Sequence, residues 1–138
     1  MTFDPTEPDL SAEKVQGVVD ETIDEEEVVL FMKGDARMPQ CGYSKKALAL
    51  IQQYRGADGL ETVDALQNLE AFRGALDEHS GWETIPQTFV DGEFVGGSDI
   101  LEELHERGEL AETLNADADA VDVGGDVGSE GSDVEAPF

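Results

Sequence analysis

The sequence predicts an α/β fold in which a four-stranded mixed sheet is flanked by helices. Three observations carry this. Val28 to Met32 is an unbroken apolar run of strand formers, as a strand covered on both faces requires. Asp91-Gly92 separates Thr88-Phe89-Val90 from Glu93-Phe94-Val95, the pattern of a two-residue β-hairpin. Segments with apolar residues at helical spacing alternate with these strands, so a parallel crossover in the first half should precede the antiparallel hairpin in the second.

Taken in order, residues 1–10 contain Pro5, Pro8 and three acids and have little to bury, so they read as a flexible leader. Ser11 is a candidate N-cap, and Val15, Val18, Val19 and Ile23 then form one apolar stripe on an acidic helix. The strand from Val28 should be the centre of the sheet. A loop over 33–40, with Gly34 and Pro39, leads to a second helix with Tyr43, Ala47, Leu50, Ile51 and Tyr54 on its apolar face, ended by Gly56 and Gly59. Cys41 falls at the mouth of that helix.

Val63 and Leu66 suggest a weaker strand over 61–66, and Asn68 a cap for a third helix that buries Leu69, Phe72 and Leu76 and stops at Ser80-Gly81. After the hairpin, Asp99 and Glu102 resemble a capping box for a helix with Ile100, Leu101 and Leu104 inward and Gly108 at its end. A short turn should cover 110–114. Residues 115–138 hold acids and small residues with no basic partner, and read as an acidic, disordered, solvating tail. The globular domain is therefore expected over 11–114.

Composition limits function. Eight Lys and Arg against 33 Asp and Glu give a formal charge of -25, which cannot build the basic footprint that nucleic acid or an anionic membrane requires. Such a chain repels itself in dilute salt, so a salt-rich cytoplasm is the expected setting. A single cysteine excludes an intrachain disulfide, and no export signal precedes the domain, which points to a reducing, cytoplasmic compartment.

A thiolate at a helix N-terminus meets unpaired N–H groups and the positive end of the dipole, which lower its pKa. The structural alternative for a lone cysteine is a small buried hydrophobe. Cys41-Gly42-Tyr43-Ser44 is a CxxC redox pattern with Ser in the second position, so no second thiol can resolve a mixed disulfide.

Here the sequence resembles the monothiol glutaredoxins, whose site reads Cys-Gly-Phe-Ser after a loop that begins Lys-Gly and has Pro two residues before the Cys, as Lys33-Gly34 and Pro39 do. Trp82-Glu83-Thr84-Ile85-Pro86-Gln87 and Gly96-Gly97-Ser98-Asp99 extend the resemblance over roughly 13–114. It implies a thioredoxin-like fold with a cis bond before Pro86. It also implies that Thr84 and Ile85 pair with the cysteinyl unit of glutathione. Lys33 and Arg73 would meet the thiol's terminal carboxylate, and Ser98 and Asp99 its γ-glutamyl end.

Bland readings stand beside these. Lys33 and Arg73 suit ordinary helix-surface pairing, Ser98 and Asp99 suit helix capping, and Trp82 suits core packing. His79 and His105 sit late in helices without partners at metal-ligand spacing, and neither reads as a ligand. Tyr43 replaces the family's Phe, Glu83 a frequent Pro, and Asp77 a common basic residue, the last weakening tight glutathione binding.

The resemblance further implies a [2Fe-2S] cluster held between two protomers, each giving one Cys41 and one small thiol. The chain would then be a cluster-bridged homodimer, a monomer when apo, and would deliver cluster to apoprotein acceptors. The five residues between Gly34 and Gln40 are the family feature associated with cluster binding and feeble reductase activity. The alternative is a monothiol oxidoreductase that reduces mixed disulfides, and a third reading is a regulator bound to a BolA-like partner. The acidity adds a halophilic archaeon as the expected source, where γ-glutamylcysteine would stand in for glutathione.

Overall fold

The computed structural model describes residues 9–56 and 59–116. Most of the expected leader and all but the first two residues of the expected tail lie outside the described residues. At the leader's end Leu10 is half-buried, packs against the core, and donates its N–H to Asn68 Oδ1 at 3.0 Å.

The chain runs α1 (Ala12–Glu25), β1 (Val28–Met32), α2 (Gly42–Arg55), β2 (Glu61–Asp64), a 3₁₀ turn (Leu66–Asn68), α3 (Leu69–Ser80), β3 (Gln87–Val90), β4 (Glu93–Gly96), α4 (Ser98–Glu106) and α5 (Leu110–Thr113). The sheet order is β2-β1-β3-β4, with β1–β2 parallel and the other pairs antiparallel. This is the expected four-stranded mixed sheet, flanked by helices in a thioredoxin-like arrangement.

Every residue of β1 is buried, and its alternation divides the core in two. Val29 and Phe31 face α1 and α3, where Val15, Val19, Ile23, Phe72 and Leu76 complete one cluster. Val28, Leu30 and Met32 face α2, α4 and α5, where Ala47, Ile51, Leu101, Leu110 and Leu114 complete the other. A run without polar alternation is therefore what period-2 geometry demands of a strand between two layers. Phe31 packs edge-on to Phe89 with centroids 5.8 Å apart, a favoured aromatic geometry.

Local signals held where no distant partner competed. Ser11 caps α1 through its hydroxyl, which accepts Lys14 N–H at 3.1 Å. Asp91 and Gly92 both take positive φ, 53° and 82°, as a primed hairpin turn requires.

Other expectations are corrected. Tyr43 and Ile100, expected inward, are exposed, while Ser44 and Leu48 take the inward places on α2. Leu66 belongs to the 3₁₀ turn rather than to β2. Asn68 stands at the N-cap position of α3 without a side-chain capping bond, because its carbonyl oxygen serves Leu10 instead. Gly97, not Asp99, is the N-cap of α4, and Glu102 pairs with Lys46 across the α2–α4 contact, so no capping box forms.

Candidate functional site

Cys41 is the N-cap residue of α2, in extended conformation with φ -148° and ψ 135°, and its side chain is partly exposed. Its carbonyl accepts Lys45 N–H at 2.9 Å, which starts the helix. Burial pushes the thiol pKa up, but this is outweighed by the N–H groups of Ser44 and Tyr43, the Lys33 ammonium and the Ser44 hydroxyl, so the net shift is downward. Neither N–H closes a full capping bond to the side chain.

The preceding loop is built to present this thiol. Lys33 N–H donates to Ser44 Oγ at 3.0 Å, Gly34 N–H to Asp64 Oδ1 at 3.0 Å, and Gln40 N–H to Lys33 O at 2.9 Å. Gly34 has φ 87°, and a Cβ there would lie 2.6 Å from both Gln40 N and Met38 O. Only glycine fits so tight a loop base. Asp35 folds the loop's outer part, its Oδ1 accepting from Arg37 N at 2.9 Å and Met38 N at 2.8 Å.

An open cavity of about 600 Å³ lies alongside the head of α2. Tyr43 lines one side. Trp82, Thr84, Ile85, Pro86 and Gln87 come from the turn into β3, and Phe94 to Gly97 from β4 and its exit. Ser98, Asp99 and Ile100 close it from the first turn of α4. The Ile85–Pro86 bond is cis. Gln87 is 1% exposed, and its Nε2 donates to Trp82 O at 2.8 Å and Thr84 O at 2.9 Å, which pins that turn. A Cβ at Gly97 would lie 3.1 Å from Pro86 O, so this glycine lets the start of α4 approach the turn closely.

The structure thus gathers Tyr43, Thr84, Ile85, Pro86, Ser98 and Asp99 around one cavity, with Cys41 at the head of the helix that carries Tyr43. Lys33 does not line it, though its ammonium acts on Cys41. Arg73 does not line it either. Its Nη1 pairs with Glu70 Oε2 at 2.6 Å on the same helix. Trp82 is not core, as its packing reading expected; it is 60% exposed and walls the cavity. His79 Nε2 lies 2.7 Å from Asp20 Oδ1, and His105 Nδ1 lies 2.7 Å from the Tyr54 hydroxyl, which gives both histidines structural partners.

Phe94, Val95 and Gln87 were not singled out from the sequence. The hairpin pattern located their strands but does not say which face opens on a cavity. The Asp64 contact was also invisible, because it joins residues thirty positions apart.

A glutaredoxin family profile matches residues 28–95. An uncharacterized monothiol glutaredoxin, ycf64, of Porphyra purpurea is 45% identical over 102 residues, covering 72% of this chain and 92% of the relative. The mitochondrial monothiol glutaredoxin-5 of Schizosaccharomyces pombe is 43% identical over 97 residues, covering 70% and 66%. Among solved structures, reduced poplar apo GrxS14 superposes with a TM-score of 0.62 at 39% identity, covering 73% of this chain and 90% of that one.

Proposed function

The chain belongs to the monothiol glutaredoxins, and from that premise we propose that it carries a [2Fe-2S] cluster as cargo. The observation that carries this reading is the donor set: one cysteine in the whole chain, partly exposed at a helix N-terminus, with Ser44 where a resolving thiol would stand. Two irons need four terminal donors. Two protomers give two thiolates, and two molecules of glutathione or γ-glutamylcysteine in the Trp82–Asp99 cavity give the rest. The cluster-bridged dimer is therefore conditional on cargo, and the apo chain is a monomer.

The cavity's chemistry supports the small thiol. Its walls are mainly apolar, with Ser98 and Asp99 at one end for an amino-acid head group and the Thr84–Ile85 backbone for the peptide. The exposed Tyr43 and Trp82 beside it provide a contact surface for apoprotein acceptors and for a BolA-like regulatory partner. A cytoplasmic, salt-rich location suits the lone thiol and the net charge. Among the described residues no helix is long and apolar enough to cross a membrane.

The test is anaerobic reconstitution with ferrous iron, sulfide and either thiol, followed by visible absorption and sizing. Wild type should show cluster bands in a dimer, and Cys41→Ser neither. Bands of equal intensity in Cys41→Ser would refute the ligand assignment.

The lowered pKa of Cys41 favours a second activity at the same atom. In reduction of a mixed disulfide, the Cys41 thiolate attacks the small thiol's sulfur, the Cys41–S–S bond forms, and the protein thiolate leaves. A second small thiol then attacks that bond and is itself oxidised, which regenerates Cys41. Turnover of a glutathionylated peptide that survives Cys41→Ser would reject this route.

A further inference from the structure

We propose that Asp64 is a positioning residue for Cys41, acting through the base of the loop that delivers the thiol to α2. It deepens the reading above and rests on Cys41 being the working atom. Asp64 ends β2, paired with Met32 at the end of β1. Its Oδ1 accepts two N–H groups, Leu66 at 2.9 Å and Gly34 at 3.0 Å. The first is a local turn closure of the kind Asp commonly makes. The second reaches across to the other crossover and has no such local purpose.

As the chain leaves β1, Lys33 N–H is taken by Ser44 Oγ of α2 and the next amide, Gly34, by Asp64 of β2. Two consecutive amides are thus fixed by acceptors from two different elements. The Lys33 carbonyl between them accepts Gln40 N–H, and Gln40 is the residue before Cys41. The base of the loop therefore fixes where α2 begins and where the sulfur stands. The role rests on the acceptor oxygen and not on the charge, and Asp64→Asn separates the two.

The experiment uses the full chain and oxidised glutathione as probe. The Cys41 thiolate attacks one glutathione sulfur, Cys41–S–S–glutathione forms, and reduced glutathione leaves. The initial rate of adduct formation is read by mass spectrometry at fixed pH, and amide exchange by NMR. Asp64→Ala should slow adduct formation by about three- to tenfold, as a displaced reacting group does. It should also speed exchange at Gly34 and Gln40 but not in β3. Asp64→Asn, which keeps the oxygen and drops the charge, should match wild type. The proposal is overturned if Asp64→Ala forms adduct like wild type, if Asp64→Asn falls as far as Asp64→Ala, or if protection is lost evenly across the sheet. Should Asp64→Ala not fold, Asp64→Ser takes its place: it keeps a local hydroxyl for Leu66 but is one bond short of Gly34, and carries the same expectations. No cluster is present in these measurements, so their failure is distinct from failure of cluster carriage.

Discussion

Ser44→Ala separates the structural part of the Cys-Gly-Tyr-Ser motif from its chemical part. The hydroxyl is completely buried, and its oxygen accepts the Lys33 N–H at 3.0 Å. Alanine keeps the Cβ and the helix, so little packing is lost. What is lost is the acceptor, and a part-buried N–H left without one costs about 1–3 kcal/mol. In a domain of about 100 residues each kcal/mol lowers the melting temperature by about 4–8 °C. The same hydroxyl is one of the groups that hold the Cys41 thiol down, so its removal moves that pKa upward. Urea titration reads the first effect, and the pH profile of iodoacetamide alkylation reads the second. An unchanged urea midpoint would refute the clamp. A lowered midpoint with an unmoved alkylation profile would refute the link between clamp and thiol.

Other expectations follow from the same geometry. Because the folded state lowers the Cys41 pKa from its ordinary 9.0, the unfolded chain binds more protons between the two values, so wild type should gain stability over Cys41→Ser as pH rises through that window; equal slopes in paired urea titrations would contradict it. Trp82→Ala removes an exposed cavity wall, so the urea midpoint should correspond to a change within about 0.5 kcal/mol while calorimetry shows weaker γ-glutamylcysteine binding. Leu101→Ala empties a fully buried position beneath α4 and should cost about 2–5 kcal/mol by the same titration. With a formal charge of -25, the melting temperature should rise with potassium chloride as the screening length falls from about 10 Å at 0.1 M toward about 3 Å at 1 M; a flat or falling curve would refute self-repulsion.

What the sequence determined by itself was the set of elements and the placing of the thiol. Val28 to Met32, the Asp91-Gly92 turn and the Ser11 cap are encoded within a few residues, where backbone preference and hydrophobic period act without help from distant chain. Cys41 at a helix mouth, with Ser44 in place of a second thiol, was legible for the same reason. The tertiary structure decided the rest. An apolar residue at helical spacing can face a core or a cavity wall, and only packing sent Tyr43 and Ile100 to the wall, as it did Trp82 in the turn before β3. A capping signal binds whichever N–H or cation is nearest in space, so Asn68 was taken by Leu10 and Glu102 by Lys46. Ser44 and Asp64 hold one loop from two different elements, a convergence of residues far apart in sequence that no local pattern encodes, because such hydrogen bonds exist only once the sheet has brought β1, β2 and α2 together.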